Sequence, residues 1–247
     1  MAGRNTYHTP HRRLRVVFED GDYVVADKPA GLLSIATDKE KEQTAYRMVS
    51  DYVKQADPRA RIFVVHRLDR ETSGLILFAR SQEAQQAIQA RWKECIHRKY
   101  IAVVEGVMRT GDGTGQGVIR SYLHESSTRI VYSSPRPGSG ILAVTHYRIL
   151  QTAADCSLVE CQLETGRKNQ IRVQMQGIGH PLLGDLKYGG RRVPIGRLAL
   201  HAAELTFTNP FTGGKHHLSS PVPDAFYTLG PFARPDGLRS PEKNSAP

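Results

Sequence analysis

The stretch from His66 to Arg80, His-Arg-Leu-Asp-Arg-Glu-Thr-Ser-Gly-Leu-Ile-Leu-Phe-Ala-Arg, limits what this chain can fold into more than any other. It is entered from an apolar run, Ile62-Phe63-Val64-Val65, and left through a second, Leu75-Ile76-Leu77-Phe78. Both runs are short and bounded by charge or Gly, which predicts buried strands rather than helices. Between them stand one carboxylate, Asp69, two guanidiniums, Arg67 and Arg70, and a Thr72-Ser73-Gly74 turn. A polar loop fixed between two core strands is a favourable place for chemistry, because the scaffold holds it. Taken alone, an Arg-Leu-Asp-Arg string also fits a charged hairpin with solvated ion pairs.

Elsewhere strands and helices are interspersed without regular alternation. Arg15–Glu19 and Tyr23–Ala26 read as strands around Asp20-Gly21-Asp22, since Asp-Gly between apolar runs is a hairpin signal. Ala45, Met48, Val49, Tyr52, Val53 and Ala56 follow helical spacing, with Thr44 as N-cap and Pro58 just past the end. Ser81 caps a second predicted helix whose apolar stripe is Ala84, Ala87, Ile88 and Trp92. A strand is expected over 97–106, and two more within 118–133. Residues 143–150 and 157–163 read as a strand pair, and residues 169–178 as a helix with Ile171, Met175 and Ile178 on one face. Strand character returns at 198–207 and 217–218. Gly111, Gly113, Gly115 and Gly117 lack the Gly-x-Gly-x-x-Gly spacing of a dinucleotide loop and read as a mobile turn. The loop Ser133–Gly140 reads as an excursion within one domain, because similar strand-rich sequence flanks it. The pattern predicts an α+β fold with a mostly antiparallel sheet. Residues 15–230 form its single domain, with flexible segments at 1–14 and 231–247.

A chain of 247 residues can bury a substantial core. Its formal net charge of +10 favours a polyanionic partner, nucleic acid before anionic membrane. No apolar run approaches the roughly 20 residues of a membrane span, and no secretory h-region is visible near the N-terminus. The three cysteines, Cys95, Cys156 and Cys161, are odd in number and sparse, as free thiols of a reducing compartment would be; a cytoplasmic location is expected. Cys156 and Cys161 are an odd number of residues apart on one predicted strand, so they face opposite sides. A zinc site would lack its second ligand pair, and no metal is expected.

Three blocks together resemble the RluA family of RNA pseudouridine synthases. His66-Arg67-Leu68-Asp69 with Thr72-Ser73-Gly74 is similar to that family's signature. Lys28-Pro29-Ala30-Gly31-Leu32-Leu33 resembles its first block. Thr165-Gly166-Arg167-Lys168-Asn169-Gln170-Ile171-Arg172-Val173 with Gly179–Asp185 resembles its last. The blocks stand in the family's order across most of residues 16–225. The resemblance implies the pseudouridine synthase fold, a mixed central sheet flanked by helices with a cleft across its middle.

It also implies a reaction. The bond between uracil N1 and ribose is cut, the base turns, and it is rejoined through C5. No electrons are gained or lost and no phosphate moves, so no cofactor and no bound nucleotide are expected. A carboxylate can attack and later leave, and by position it is Asp69. Attack at ribose C1′, attack at uracil C6 and assisted elimination are all open to it. The resemblance assigns Arg172 as the cation beside Asp69 and Tyr100 as the ring that stacks on uracil. Arg67 is implied as the side chain that fills the gap left by the flipped base. Arg70, Arg98, Lys99, Arg167 and Lys168 are candidate phosphate contacts. His66 reads as a positioned structural residue. Two departures stand out: Lys168-Asn169 where relatives often have Thr-His, and Gln174 where they often have His. Many relatives carry a separate N-terminal RNA-binding domain. About 14 residues precede the first strand here, far below the ~50 of a small domain, so the catalytic domain itself is expected to grip rRNA or tRNA as a monomer. The alternative is a catalytically silent RNA-binding or ribosome-assembly protein on the same fold. A weaker one is a glycosidase using Asp69 and Glu71.

Overall fold

The computed structural model describes residues 14–38 and 40–234. The expected N-terminal extension, apart from Leu14, and the tail beyond residue 234 lie outside the described residues. Asp20 makes the first turn: its Oδ1 accepts the N–H groups of Asp22 and Tyr23 at 2.8 and 2.7 Å. This turn joins β1 (Arg15–Glu19) to β2 (Tyr23–Lys28). Helix α1 (Ala45–Ala56) starts at Thr44, whose hydroxyl accepts the Arg47 N–H at 3.1 Å, and it buries Ala45, Val49 and Val53.

Strand β3 (Phe63–Val64) is shorter than its apolar run, because the chain leaves the sheet to form the polar loop; β4 (Ser73–Ala79) is buried throughout. Ser81 caps α2 (Gln82–Ala90) by accepting the Ala84 N–H at 3.0 Å. The apolar stripe does not extend to Trp92 as its spacing predicts. Arg91 leaves helical backbone (φ −110°, ψ 31°), and Trp92 opens a separate turn, α3 (Trp92–Cys95).

The rest is mostly strand: β5 (Ile96–Glu105), β6 (Gln116–Glu125), β7 (Val131–Ser134), β8 (Ile141–Thr152) and β9 (Cys156–Leu163). Helix α4 (Gln170–Gly177) follows, then β10 (Leu200–Thr208), β11 (Lys215–Ser219) and the short α5 (Asp224–Tyr227), which sequence periodicity did not predict. On α4, Ile171 and Met175 are buried but Ile178 is 40% exposed, because it lies past the helix end.

All these strands form one sheet, ordered β1-β2-β4-β10-β5-β9-β8-β6-β7, with β3 added on β4 and β11 on β10. Every pair is antiparallel except β4–β10, where His201 lies opposite Ser73 and Ala202 opposite Gly74. Gly74 (φ +107°) is required there, since a Cβ would stand 2.2 Å from the Ala202 carbonyl oxygen. The expected α+β class and mostly antiparallel sheet are what the chain adopts.

Alternate residues feed opposite faces of the sheet. Val24, Ala26, Ile76, Phe78, Tyr100 and Cys161 pack with α1 and α4. On the other face Tyr23, Val25, Leu75 and Leu77 pack with α2, and Ile101, Val103, Cys156 and Leu158 pack with α5. Cys156 and Cys161 therefore do face opposite sides. The segment expected to be flexible from 231 starts packed: just past α5, Phe232 is buried and Ala233 donates its N–H to Gln151 at 2.8 Å.

Candidate active site

The loop carrying Asp69 is pinned on both sides of that residue. Before it, the Ser34 hydroxyl donates to the Leu68 carbonyl at 2.7 Å and accepts the Leu68 N–H at 3.0 Å. After it, the Arg70 carbonyl accepts from the Gly31 N–H at 2.8 Å and from the Lys28 ammonium at 3.1 Å. Lys28 is fully buried and also donates to the carbonyls of Pro29 and Leu32. His66 anchors the loop's start: its Nε2 accepts the Leu77 N–H at 3.1 Å. That bond makes Nε2 the unprotonated nitrogen. Burial pushes the His66 pKa down to about 3, and the Arg98 charge adds to the effect. His66 is thus a neutral structural group, as the sequence predicts.

Two groups converge on the Asp69 carboxylate. Asn169 Nδ2 donates to Oδ2 at 2.7 Å, and Arg172 Nη1 donates to the same oxygen at 3.4 Å. The Asn169 contact is the shorter. Asn169 is in turn oriented by Tyr188, whose hydroxyl donates to Asn169 Oδ1 at 3.2 Å. Arg172 is committed mainly to Asp185, through two 2.7 Å bonds from Nε and Nη2 in fork-to-fork geometry. The Asp185 side chain is 1% exposed. The Arg172 guanidinium also lies over the Tyr188 ring, 4.9 Å from its centroid. Burial alone would lower the Arg172 pKa; the bonds and charge of Asp185, then the charge of Asp69, outweigh it, and the net shift is upward. Asp185 therefore fixes a permanent cation whose remaining nitrogen faces Asp69.

These groups border a cleft of about 480 Å³, lined also by Arg67, Trp92, Arg98, Tyr100 and Arg167. Tyr100 is 4% exposed. Burial raises its pKa, an effect the Arg98 charge offsets in part and the Asp69 charge reinforces, so the phenol is neutral at physiological pH.

The structure thus brings Asp69, Tyr100, Arg172, Arg67, Arg98 and Arg167 together and leaves three predicted contacts outside the lining. Lys99 points to the opposite face of β5 from Tyr100 and pairs with Glu204 at 3.1 Å. Lys168 pairs with Glu125. Arg70 donates from Nε to the Gly31 carbonyl at 3.1 Å. The sequence assigns no role to Asn169, Asp185 or Tyr188: Asp185 stands at the end of the last block, and Asn169 is only a departure from the family's pattern.

A family model described as "RNA pseudouridylate synthase" matches residues 22–177. The chain is 35% identical over 226 residues to "Ribosomal large subunit pseudouridine synthase D" of Vibrio cholerae, covering 85% of this chain and 68% of that one. To the protein of the same name in Xanthomonas campestris it is 36% identical over 246 residues, covering 93% and 72%. To "Uncharacterized RNA pseudouridine synthase YjbO" of Bacillus subtilis it is 35% identical, covering 85% and 73%. The fold is shared with human RNA Pseudouridylate Synthase Domain Containing 4, with a TM-score of 0.68 at 24% identity over 85% of this chain and 89% of that chain. With a carboxylate held over a cleft by an amide and a fixed guanidinium, and with these matches across most of its length, the chain belongs to the RNA pseudouridylate synthase family, as an isomerase acting on RNA.

Proposed function

We propose that this RNA pseudouridine synthase modifies uridine in ribosomal RNA, and that Asp69 drives detachment of the base. One observation carries the assignment: the Asp69 carboxylate is held at 2.7 Å by Asn169 and at 3.4 Å by Arg172 in a cleft shared with Tyr100. A carboxylate restrained by donors on one oxygen keeps the other free to meet an incoming group. Tyr100 supplies the ring against which a flipped uracil stacks, and the exposed Arg67 stands at the cleft to take the space the base vacates. Arg167, exposed and lining the same cleft, meets the backbone of the RNA. Arg70, Lys99 and Lys168, outside the cleft lining, add only general attraction to the polyanion without reading sequence. Residues 15–230 act as one catalytic unit, monomeric and cytoplasmic. The choice of ribosomal over transfer RNA follows the names of the relatives in Vibrio cholerae and Xanthomonas campestris.

The test uses RNA labelled with tritium at uracil C5, prepared from cells lacking this gene. The wild-type protein is expected to release tritium from the ribosomal RNA fraction, and Asp69→Asn to release none. Release from the transfer RNA fraction alone would redirect the substrate assignment. No release from any cellular RNA would leave a silent binder and remove the catalytic reading.

A further inference from the structure

Arg98 lies in the interior of the cleft rather than at its rim. It is 5% exposed, its guanidinium carbon sits 4.8 Å from the Trp92 ring centroid, and Gly166 is packed so near that a Cβ there would stand 3.1 Å from Nη2. Two of its nitrogens, Nε and Nη2, are buried without a hydrogen-bond partner. A guanidinium cannot shed its proton to escape that situation. Buried charged donors left unmet are costly, and such a group lining a cleft points to a catalytic role or to an acceptor that enters the cleft. The site is thus incomplete without an acceptor reaching past Trp92 into the cleft beside Tyr100.

We propose that Arg98 donates to a carbonyl oxygen of the flipped uracil and stabilises the anion formed when the base detaches. This rests on the reading of the Asp69 cleft given above. When the N1–C1′ bond breaks, its electron pair stays with N1 and spreads through the ring to O2 and O4. When C5 bonds to C1′, the C5 proton passes to a base and N1 takes up a proton, so atoms and electrons balance with no co-reactant. The extra charge on the carbonyl oxygens exists only between those two events. Donors fixed at that position favour the transition state over the bound substrate. A phosphate is the competing acceptor, but RNA backbone runs over the surface, and this guanidinium is enclosed by Trp92 and Gly166. Among the cations assigned by sequence to phosphate, Arg98 is the one the fold buries.

The experiment compares wild type, Arg98→Met and Arg98→Lys on the C5-tritiated RNA, by single-turnover tritium release, RNA binding at several salt concentrations and thermal melting. Arg98→Met keeps a flexible stem over Trp92 and removes the charge. Its release rate is expected to fall roughly 100- to 1000-fold, the loss typical of removing a donor to a developing oxyanion. Its Kd and the salt slope of binding should stay within about threefold and within about half a unit of wild type, since no phosphate contact is lost. Its Tm should be unchanged or higher, because an unpaired buried charge is gone. Arg98→Lys should recover part of the rate. A wild-type rate in Arg98→Met overturns the proposal. So does a weaker Kd with a salt slope shallower by about one, which marks a phosphate contact. A Tm several degrees lower in both variants alongside the lost rate would mark a structural role and also overturn it. Release that vanishes in Asp69→Asn but persists in Arg98→Met sinks this inference alone, whereas no release by the wild type sinks the reading it stands on.

Discussion

Asn169 adopts left-handed backbone (φ 54°, ψ 22°) at the start of α4 and makes no cap bond with its side chain. That conformation is unusual for a residue with a Cβ, although Asn tolerates it better than most. Its amide is spent between Tyr188 and Asp69 instead. A neutral donor at 2.7 Å orients the carboxylate without adding charge, while Arg172 supplies charge at the longer distance. Asn169→Ala should therefore lower single-turnover tritium release about 10- to 100-fold, the value of one hydrogen bond to a charged group. RNA affinity should change little, because no RNA contact is removed. A rate within threefold of wild type would make the Arg172 contact sufficient. Asp185→Asn should cost more, because it takes the anionic partner from a buried guanidinium, a loss of about 3–5 kcal/mol; thermal melting reads it directly. Asp69 and Arg172 were legible in the sequence through the motif blocks. Asp185 was not, because a side chain that acts by holding another leaves no spacing signature.

At the scale of elements, residues 28–34 are the clamp on the Asp69 loop. Lys28 places one ammonium among three carbonyl oxygens, at 3.0, 2.8 and 3.1 Å. Lys28→Met should take a charged donor from all three, leaving the Arg70 carbonyl with the Gly31 N–H, at a cost on the order of 3 kcal/mol. For a domain of this size that lowers Tm by roughly 6–12 °C, measurable by thermal melting with tritium release followed on the surviving folded fraction. Most strands and the first two helix starts were readable because their signals are local: a capping hydroxyl, an Asp-Gly turn, a run of β-branched residues. The break at Arg91 was not, since Trp92 continues the apolar spacing while its ring belongs to the cleft, 4.8 Å from the Arg98 guanidinium. The order of strands was equally hidden. Nothing near Ser73 announces that its neighbour will be His201, and the need for Gly at 74 appears only when the Ala202 carbonyl is in place.

At the scale of the whole molecule, two histidines buried among the described residues, His66 and His201, contribute to the response to acid. Burial lowers the His66 pKa to about 3 and the His201 pKa to about 4, and both are far below the value of about 6.5 expected in an unfolded chain. Below pH 6.5 the unfolded state takes up protons that the native state refuses, so stability falls as pH drops through that window. Above pH 6.5 neither histidine contributes. Each adds a slope of about 1.4 kcal/mol per pH unit between 6.5 and its native value. Denaturant melts at pH 7 and pH 5 should therefore differ by several kcal/mol, and His66→Gln should flatten part of that difference if the variant folds. Equal stability at both pH values would show that the imidazoles are hydrated in solution.

Strand β10 lies in the middle of the sheet, parallel to β4 on one side and antiparallel to β5 on the other. During synthesis, the strands on both sides of it come earlier in the chain, so the inner edges of β4 and β5 cannot be paired until residues 200–208 leave the ribosome. Such remote pairing makes for slow folding. A nascent chain cannot act on RNA before that insertion, and whatever traps its open edges will govern how much active enzyme a cell recovers.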